Sequence, residues 1–426
     1  MTRFSPANID ELRAAVGDAL AADEPVELVA GGSKRGLGRP TQTPHTLDLS
    51  RLAGIRDYQP NELVLTAGAA TRLDEIGDLL AQHGQMLAFE PPDWRALLGA
   101  PEARPTLGGV LACNLSGPRR IKAGAARDHF LGFRAVSGRG EIFKSGGKVV
   151  KNVTGYDLSK LMAGSYGTLA ALEEVTVKVL PRPEHVETVM LCGLDLPMAL
   201  SAMSKALASP HDVSAAAYFP ASTTEAPVPS PTLPGEWGSE RRQLSPVIAG
   251  AAETVALRLE GPGPSVAFRR ERLLAELAAE CESAVLDEAA TANYWRLVRD
   301  VEPFTRLADR TVWRVSVAPA RGAEIGVAIA RSLDAQWYLD WGGGLLWAAV
   351  SSAEEDGGAA TIRRAIRGAD GHGTGHATLI RGPAALRRAV PVFEPPPPAL
   401  AALAARIKAG FDPRQILNPG RMVERS

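Results

Sequence analysis

Gly31-Gly32-Ser33-Lys34-Arg35-Gly36-Leu37-Gly38 is the densest set of anion-binding groups in the chain. It follows at once on Val26-Glu27-Leu28-Val29-Ala30, which reads as a strand. A strand that runs into consecutive glycines exposes bare backbone N–H groups. Glycine is needed there because the turn takes positive φ and a phosphate must come close to the backbone. Ser33 adds a hydroxyl, and Lys34 and Arg35 add charge. Two common phosphate motifs fail by inspection. No Gly-Lys is followed by Ser or Thr after the P-loop gap. Pro40 and a further strand stand where a dinucleotide fingerprint would begin its helix. A flexible surface turn remains the alternative for this segment taken alone.

A second donor-rich segment, Thr106-Leu107-Gly108-Gly109 followed by Asn114-Leu115-Ser116-Gly117, changes the weighing. Alone it is a packing turn or a cradle. Two such segments in one domain point to a long ligand with a diphosphate in its middle.

The elements that must position these segments follow from periodicity. Ser5 or Asn8 caps a helix through Asp10, Leu12, Val16 and Leu20. Short strands are expected at 46–50 and 63–68, and Arg72 to His83 forms a helix with Leu73, Ile76, Leu79 and Leu80 on one face. The glycine-rich stretch 105–117 is short of helix signals. Two β runs at 130–136 and 141–144 lead to Lys151-Asn152-Val153-Thr154-Gly155-Tyr156-Asp157-Leu158, a short helix through Leu161-Met162, and a strand at 175–180. Pro181 and Pro183 mark a boundary near 182. From there to about 390 the pattern is α+β, with helices at 265–279 and 291–300, strands at 311–317 and 345–350, and a Pro/Ser/Thr-rich loop from Pro220 to Pro234. Four prolines at 395–398 precede a closing helix at 399–409. The division expected is 1–182, 183–390 and a C-terminal segment 391–426 that packs back on the first domain.

Composition removes several function classes. The 426 residues are 45% hydrophobic and 22% charged, with a net charge of −1. No basic field calls for nucleic acid or an anionic membrane, and aromatics at 5% are too sparse for base-stacking platforms. Cys113, Cys192 and Cys281 lack CxxC spacing, so they form no zinc or iron–sulfur set by themselves. Few cysteines, no apolar leader in residues 1–10 and no membrane-length apolar run make the cytoplasm the expected location. A soluble subunit can still dock at the inner face of a membrane through a complex.

The ordered segments resemble the vanillyl-alcohol-oxidase/p-cresol-methylhydroxylase (PCMH) type of FAD-binding family over about residues 20–182. The third segment is Gly155-Tyr156-Asp157-Leu158 leading into Gly164-Ser165-Tyr166-Gly167-Thr168-Leu169. More narrowly, 151–161, Leu47-Asp48-Leu49-Ser50, Trp313-Arg314, Asp340-Trp341-Gly342-Gly343, Gly375-His376-Ala377-Thr378-Leu379 and Phe411-Asp412-Pro413 through Asn418-Pro419-Gly420-Arg421-Met422 resemble the second, smaller flavin subunits of bacterial glycolate oxidases. The resemblance implies an α+β fold: a two-lobed PCMH-type FAD-binding domain followed by an α+β cap domain folded over the isoalloxazine. It implies FAD as cofactor, with Gly31, Gly32, Ser33, Lys34, Arg35 and Gly36 at the pyrophosphate. Pro105, Thr106, Gly108 and Gly109 would line the ribityl chain and flavin edge, with Asn114, Ser116 and Gly117 completing the cradle. Gly167, Thr168 and Leu172 would pack the nucleotide end. Partners implied are a 2-hydroxy acid such as glycolate, a related flavin subunit and an iron–sulfur subunit.

The chain departs from the family in three places. Many relatives carry a flavin-bonding histidine in the first loop; Ser33-Lys34 stand here, so noncovalent FAD is expected. Tyr166 replaces a common acid in the third segment. The grouped metal-binding histidines of larger relatives are reduced to His372 and His376, set among glycines, and no metal is expected. His376 is read as a general base or as a structural histidine, and Arg314 as a carboxylate clamp or an ion-pair residue. The functions implied are a glycolate-oxidising FAD subunit, an electron-relay or structural FAD subunit beside a catalytic sister, or a self-sufficient oxidase of another 2-hydroxy acid.

Overall fold

The computed structural model describes residues 2–41, 43, 45–147, 156–221, 253–277, 281–368 and 371–424. The motif residues Lys151 to Gly155 and the loop residues 222–234 lie outside this set. The chain forms two compact units: 1–116 with 124–182 and 387–426, and 117–123 with 183–386.

Among the described residues the first unit holds a two-stranded ladder, Gln85–Met86 with Leu180–Pro181, and two larger sheets. Thr2–Phe4, His45–Asp48 and Val26–Val29 form a three-stranded parallel sheet in that order. The helix Ile9–Ala22 packs with it. Of the two candidate caps it is Asn8 that serves, its side chain accepting from the amides of Asp10 and Glu11 at 3.1 and 2.9 Å. Leu12, Ala15, Val16 and Ala19 bury one face of this helix with Val26, Leu47 and Leu417. The second sheet is antiparallel, in the order Ile55–Gln59, Val64–Gly68, Ala170–Lys178, Phe130–Ser137, Ile142–Gly146. Within it Thr66 and Thr176 face each other and share a buried hydroxyl hydrogen bond of 2.9 Å.

The stretch 105–117, read without a helix, contains one at Leu107–Cys113. Thr106 makes it possible: its hydroxyl accepts from the Gly109 amide at 3.3 Å, and Asn114 ends the helix at φ +49°. The two glycines lower propensity but leave Leu107, Val110 and Leu111 on a fully buried face. Tertiary burial outweighs local preference here.

The C-terminal segment completes the first unit. The helix Pro398–Phe411 ends at Asp412, whose fully buried carboxylate accepts from the amides of Ile416 and Leu417 at 2.9 Å each and from Lys408 Nζ. The turn so formed aims the tail at the parallel sheet. There the Val26 amide donates to Ile416 O at 2.8 Å and the Asn418 amide to Val26 O at 3.1 Å.

The second unit is built on one eight-stranded sheet. Its order is Glu282–Leu286, His185–Cys192, Thr254–Gly261, Ala215–Phe219, Ala335–Asp340, Leu345–Val350, Thr311–Val317, Gly375–Arg381, and every pairing is antiparallel. Helices Gly263–Leu277, Glu288–Asp300, Gly322–Ser332 and Ala359–Arg367 cover apolar strand faces. The overall class is α+β, as the sequence implies.

Leu12 is fully buried in the helix that braces the parallel sheet. Leu12→Ala leaves a cavity there and is expected to destabilise the protein by about 3 kcal/mol, measured as a lower urea midpoint at unchanged slope.

Candidate functional site

The sequence between Glu27 and Gly38 folds into a loop that is gripped from the far end of the chain. Glu27 is buried, and its carboxylate accepts from Arg421 at 2.8 Å and from Arg35 Nε at 3.2 Å. The Arg421 guanidinium also donates to the carbonyls of Arg35 and Leu37 at 3.0 Å each. Arg387 donates to the alternate carbonyls, Gly36 at 2.7 Å and Gly38 at 2.9 Å. Four successive carbonyls are therefore taken up by two arginines of the C-terminal segment. The amides of Gly32, Ser33 and Lys34, by contrast, have no hydrogen-bond partner among the described residues.

Two glycines are required for stated reasons. A side chain on Gly31 would place its Cβ 1.6 Å from Arg104 O, against a backbone segment already bonded to Gly31 by an Arg104 amide at 2.7 Å. Gly32 has φ +77°, but a Cβ there would meet nothing closer than Ala103 at 3.9 Å. The first position forbids a side chain; the second has room but the wrong backbone region.

The loop forms one wall of a cleft of about 860 Å³ including its open mouth. Of the residues singled out in the sequence, Gly31 to Arg35, Thr106, Gly108, Gly109, Gly167 and Leu172 line it. Gly36, Pro105, Asn114, Ser116, Gly117 and Thr168 do not, and each is engaged in holding a wall or turn instead. The Asn114 side chain accepts from the Arg127 amide at 3.0 Å, and Ser116 Oγ accepts from Ala126 at 2.9 Å. Pro105 O accepts from Leu73, Gly36 O from Arg387, and Thr168 Oγ1 donates to Ser165 O. Gly117 belongs to the second unit, where its carbonyl accepts from Trp341 Nε1 at 3.1 Å.

Ala69, Ala70, Cys113, Asn418 and Arg421, not read as site residues from the sequence, also line the cleft, as does Tyr166, read there as a departure from the family. Asn418 ties its far wall: Oδ1 accepts from the Leu28 amide and Nδ2 donates to Tyr166 O, both at 2.8 Å. Tyr166 takes φ +54° and stacks edge-on against Phe393, ring centres 5.0 Å apart. The signal for the tail residues was Asn418-Pro419-Gly420-Arg421, a turn sequence with one buried cation. Burial pushes the Cys113 thiol up to about 11, so it is protonated and inert at neutral pH.

The cleft suits a long ligand that is anionic in the middle and apolar at its ends. Unpaired amides, bare glycine backbone and Lys34 fit a diphosphate. Leu28, Leu49, Ala112, Ala170 and Leu172 offer apolar wall for flat rings. FAD has this composition.

In the second unit, Arg314 pairs in register with Thr378, and Ser316 with His376. Directly opposite residues share a face, so Arg314 and His376 are diagonal neighbours, ~7–8 Å apart at Cα, on one side of the sheet. The other side carries the buried Trp313, Val315, Ala377 and Leu379. The Arg314 guanidinium lies 5.1 Å from the Trp341 ring centre, and that of Arg120 lies 4.3 Å from it. His376 and His372 are solvent-exposed. Among the described residues no group of three or more His, Cys, Asp or Glu side chains could hold a metal ion.

Arg421→Met removes a guanidinium that satisfies a buried carboxylate and two loop carbonyls. The expected cost is about 3 kcal/mol, which for a unit of this size lowers the cofactor-free melting temperature by roughly 10 °C. An unchanged melting curve would show that the tail does not hold the loop.

Comparison with known proteins agrees with this geometry. The FAD binding domain family matches residues 3–146. Glycolate oxidase subunit GlcE of Escherichia coli is 33% identical over 420 residues, covering 98% of this chain and 97% of that one. Glycolate oxidase subunit GlcD of Bacillus subtilis is 27% identical over 78% of the chain, and a D-lactate dehydrogenase of Archaeoglobus fulgidus 32% identical over 47%. The fold is shared with 4-ethylphenol oxidase from Gulosibacter chungangensis (TM-score 0.69, 14% identity, 99% of this chain and 89% of that one). It is shared also with p-cresol methylhydroxylase (TM-score 0.66, 13% identity, 99% and 88%). By its full-length likeness, the chain belongs to the FAD-linked oxidoreductase family of glycolate oxidase subunit GlcE.

Proposed function

We propose that this chain is the FAD-binding subunit of a glycolate oxidase (glycolate dehydrogenase) complex, acting with a related flavin subunit and an iron–sulfur subunit. The observation that carries the reading is likeness to GlcE over 98% of the chain, in a protein whose cleft has the donors and charge for FAD. In this reading the iron–sulfur subunit takes the electrons onward from flavin. Among the described residues no helix is long and apolar enough to cross a membrane. We place the chain in the cytoplasm, at the inner membrane face through its partners.

In this reading FAD supplies the acceptor for the two electrons and one hydrogen removed as hydride from C2 of glycolate. The chain does the rest. The amides of Gly32 to Lys34 hold the diphosphate. The Arg314 guanidinium pairs with the substrate carboxylate. The His376 imidazole accepts the hydroxyl proton as C2 becomes a carbonyl, giving glyoxylate. Arg314 lies over the Trp341 ring, a cation–π contact that favours this position of the guanidinium.

FAD should be noncovalent, because Ser33 and Lys34 offer no ring nitrogen for a flavin bond. Acid precipitation is expected to leave all yellow colour in the supernatant; a yellow pellet would contradict this. Gly32→Asp adds a carboxylate where the diphosphate approaches, at a position with room for it. The variant should fold and purify without flavin, read from its absorbance near 450 nm.

His376→Ala should retain FAD but lower glycolate turnover per flavin about a hundredfold in the assembled complex. A variant that melts lower yet turns over normally would make His376 structural. The complex itself is tested by pull-down from the native cell. A second flavin protein and a cysteine-rich iron–sulfur protein are expected, and a monomer with full glycolate turnover to a dye would refute it.

A further inference from the structure

Three cations line the cleft: Lys34, Arg35 and Arg421. Arg35 and Arg421 both pair with the Glu27 carboxylate, which gives each a charged partner and offsets one of their two charges. Lys34 is different. Among the described residues its ammonium has a single partner, the uncharged Ser33 hydroxyl at 3.0 Å. Its stem runs toward the second glycine segment, with Cδ 3.5 Å from where a Cβ on Gly109 would stand. The carboxylate that acts on it, Asp93, is itself held by Arg95 at 2.6–2.9 Å. The Cys113 thiol beside it is protonated. Desolvation in the cleft pushes the lysine pKa below its ordinary value, as expected of a cation without a counter-ion.

The FAD reading supplies the missing counter-ion, and this inference rests on it. The isoalloxazine, ribityl chain and adenosine of FAD are uncharged; its diphosphate carries two negative charges. We infer that Lys34 is the side-chain cation that pairs with the cofactor diphosphate and offsets one of its two negative charges, working with the unpaired amides of Gly32, Ser33 and Lys34. The loop then recognises the diphosphate both by shape, through its backbone, and by charge, through one side chain. Flavins that lack the diphosphate gain nothing from Lys34.

The test uses full-length protein stripped of flavin. FAD binding is followed by fluorescence quenching for wild type, Lys34→Met and Lys34→Arg. Loss of one charge-assisted contact weakens FAD about ten- to a hundredfold in Lys34→Met, while Lys34→Arg stays within a few fold of wild type. Millimolar inorganic pyrophosphate should raise the melting temperature of the wild-type apoprotein and leave that of Lys34→Met unmoved. The apoprotein of Lys34→Met should melt no lower than wild type, which separates charge from packing. The inference is overturned if Lys34→Met binds FAD like wild type. It is overturned equally if Lys34→Arg fails as badly as Lys34→Met, if the Lys34→Met apoprotein melts several degrees lower, or if pyrophosphate affects both proteins alike. A wild-type apoprotein that takes up no FAD would instead sink the FAD reading itself.

Discussion

The buried Glu27 carboxylate is the point on which the cofactor cleft turns. It stands in the strand that leads into the glycine loop and draws Arg35 from within the loop and Arg421 from the C-terminal part of the first unit. A buried carboxylate must be paired or it is protonated. Meeting that requirement brings the tail across the parallel sheet, where Asn418 then joins strand to third segment. The arginines also take the loop carbonyls, and so decide which backbone groups are left for a ligand. A phosphate needs N–H groups turned toward it; here they are available because the C=O groups of residues 35–38 already have partners.

The second unit solves a different problem. Its broad antiparallel sheet buries Trp313, Val315, Ala377 and Leu379 on one side and leaves Arg314 and His376 on the other. Alternation along two paired strands is enough to collect a cation and an imidazole without any dedicated loop. Trp341 follows a strand that ends in Asp340, whose carboxylate accepts from the Trp341 amide at 2.6 Å. The left-handed turn there sets the indole against the guanidinium groups of Arg314 and Arg120.

The glycine loop was readable from sequence because its chemistry is local: a strand, consecutive glycines and adjoining donors. The second segment was readable in composition but not in conformation. Gly108 and Gly109 argued against the helix that Thr106 caps and the core enforces. Asn114 and Ser116 looked like ligand donors by type, yet their side chains satisfy the amides of Arg127 and Ala126. A polar side chain near a glycine turn has two uses, and spacing does not separate them. Asn418 and Arg421 were not legible as site residues because their partners lie from 252 to 394 positions earlier. Of the eight strands of the second unit's sheet, 311–317 and 345–350 were legible in the sequence; the other six, and the pairing order, required the fold.

The distance in sequence between Glu27 and Arg421 has a consequence for biogenesis. Synthesis proceeds at ~5–20 residues per second, so roughly 20 to 80 s separate the emergence of the two partners. The whole of 183–386 is made in the interval. Arg421 can meet Glu27 only once that interval has passed. Until then the parallel sheet lacks Ile416 and Leu417 in its core and the loop carbonyls lack their arginines. The cofactor cleft is therefore completed only after the whole second unit has been synthesised, although every wall of it belongs to the first.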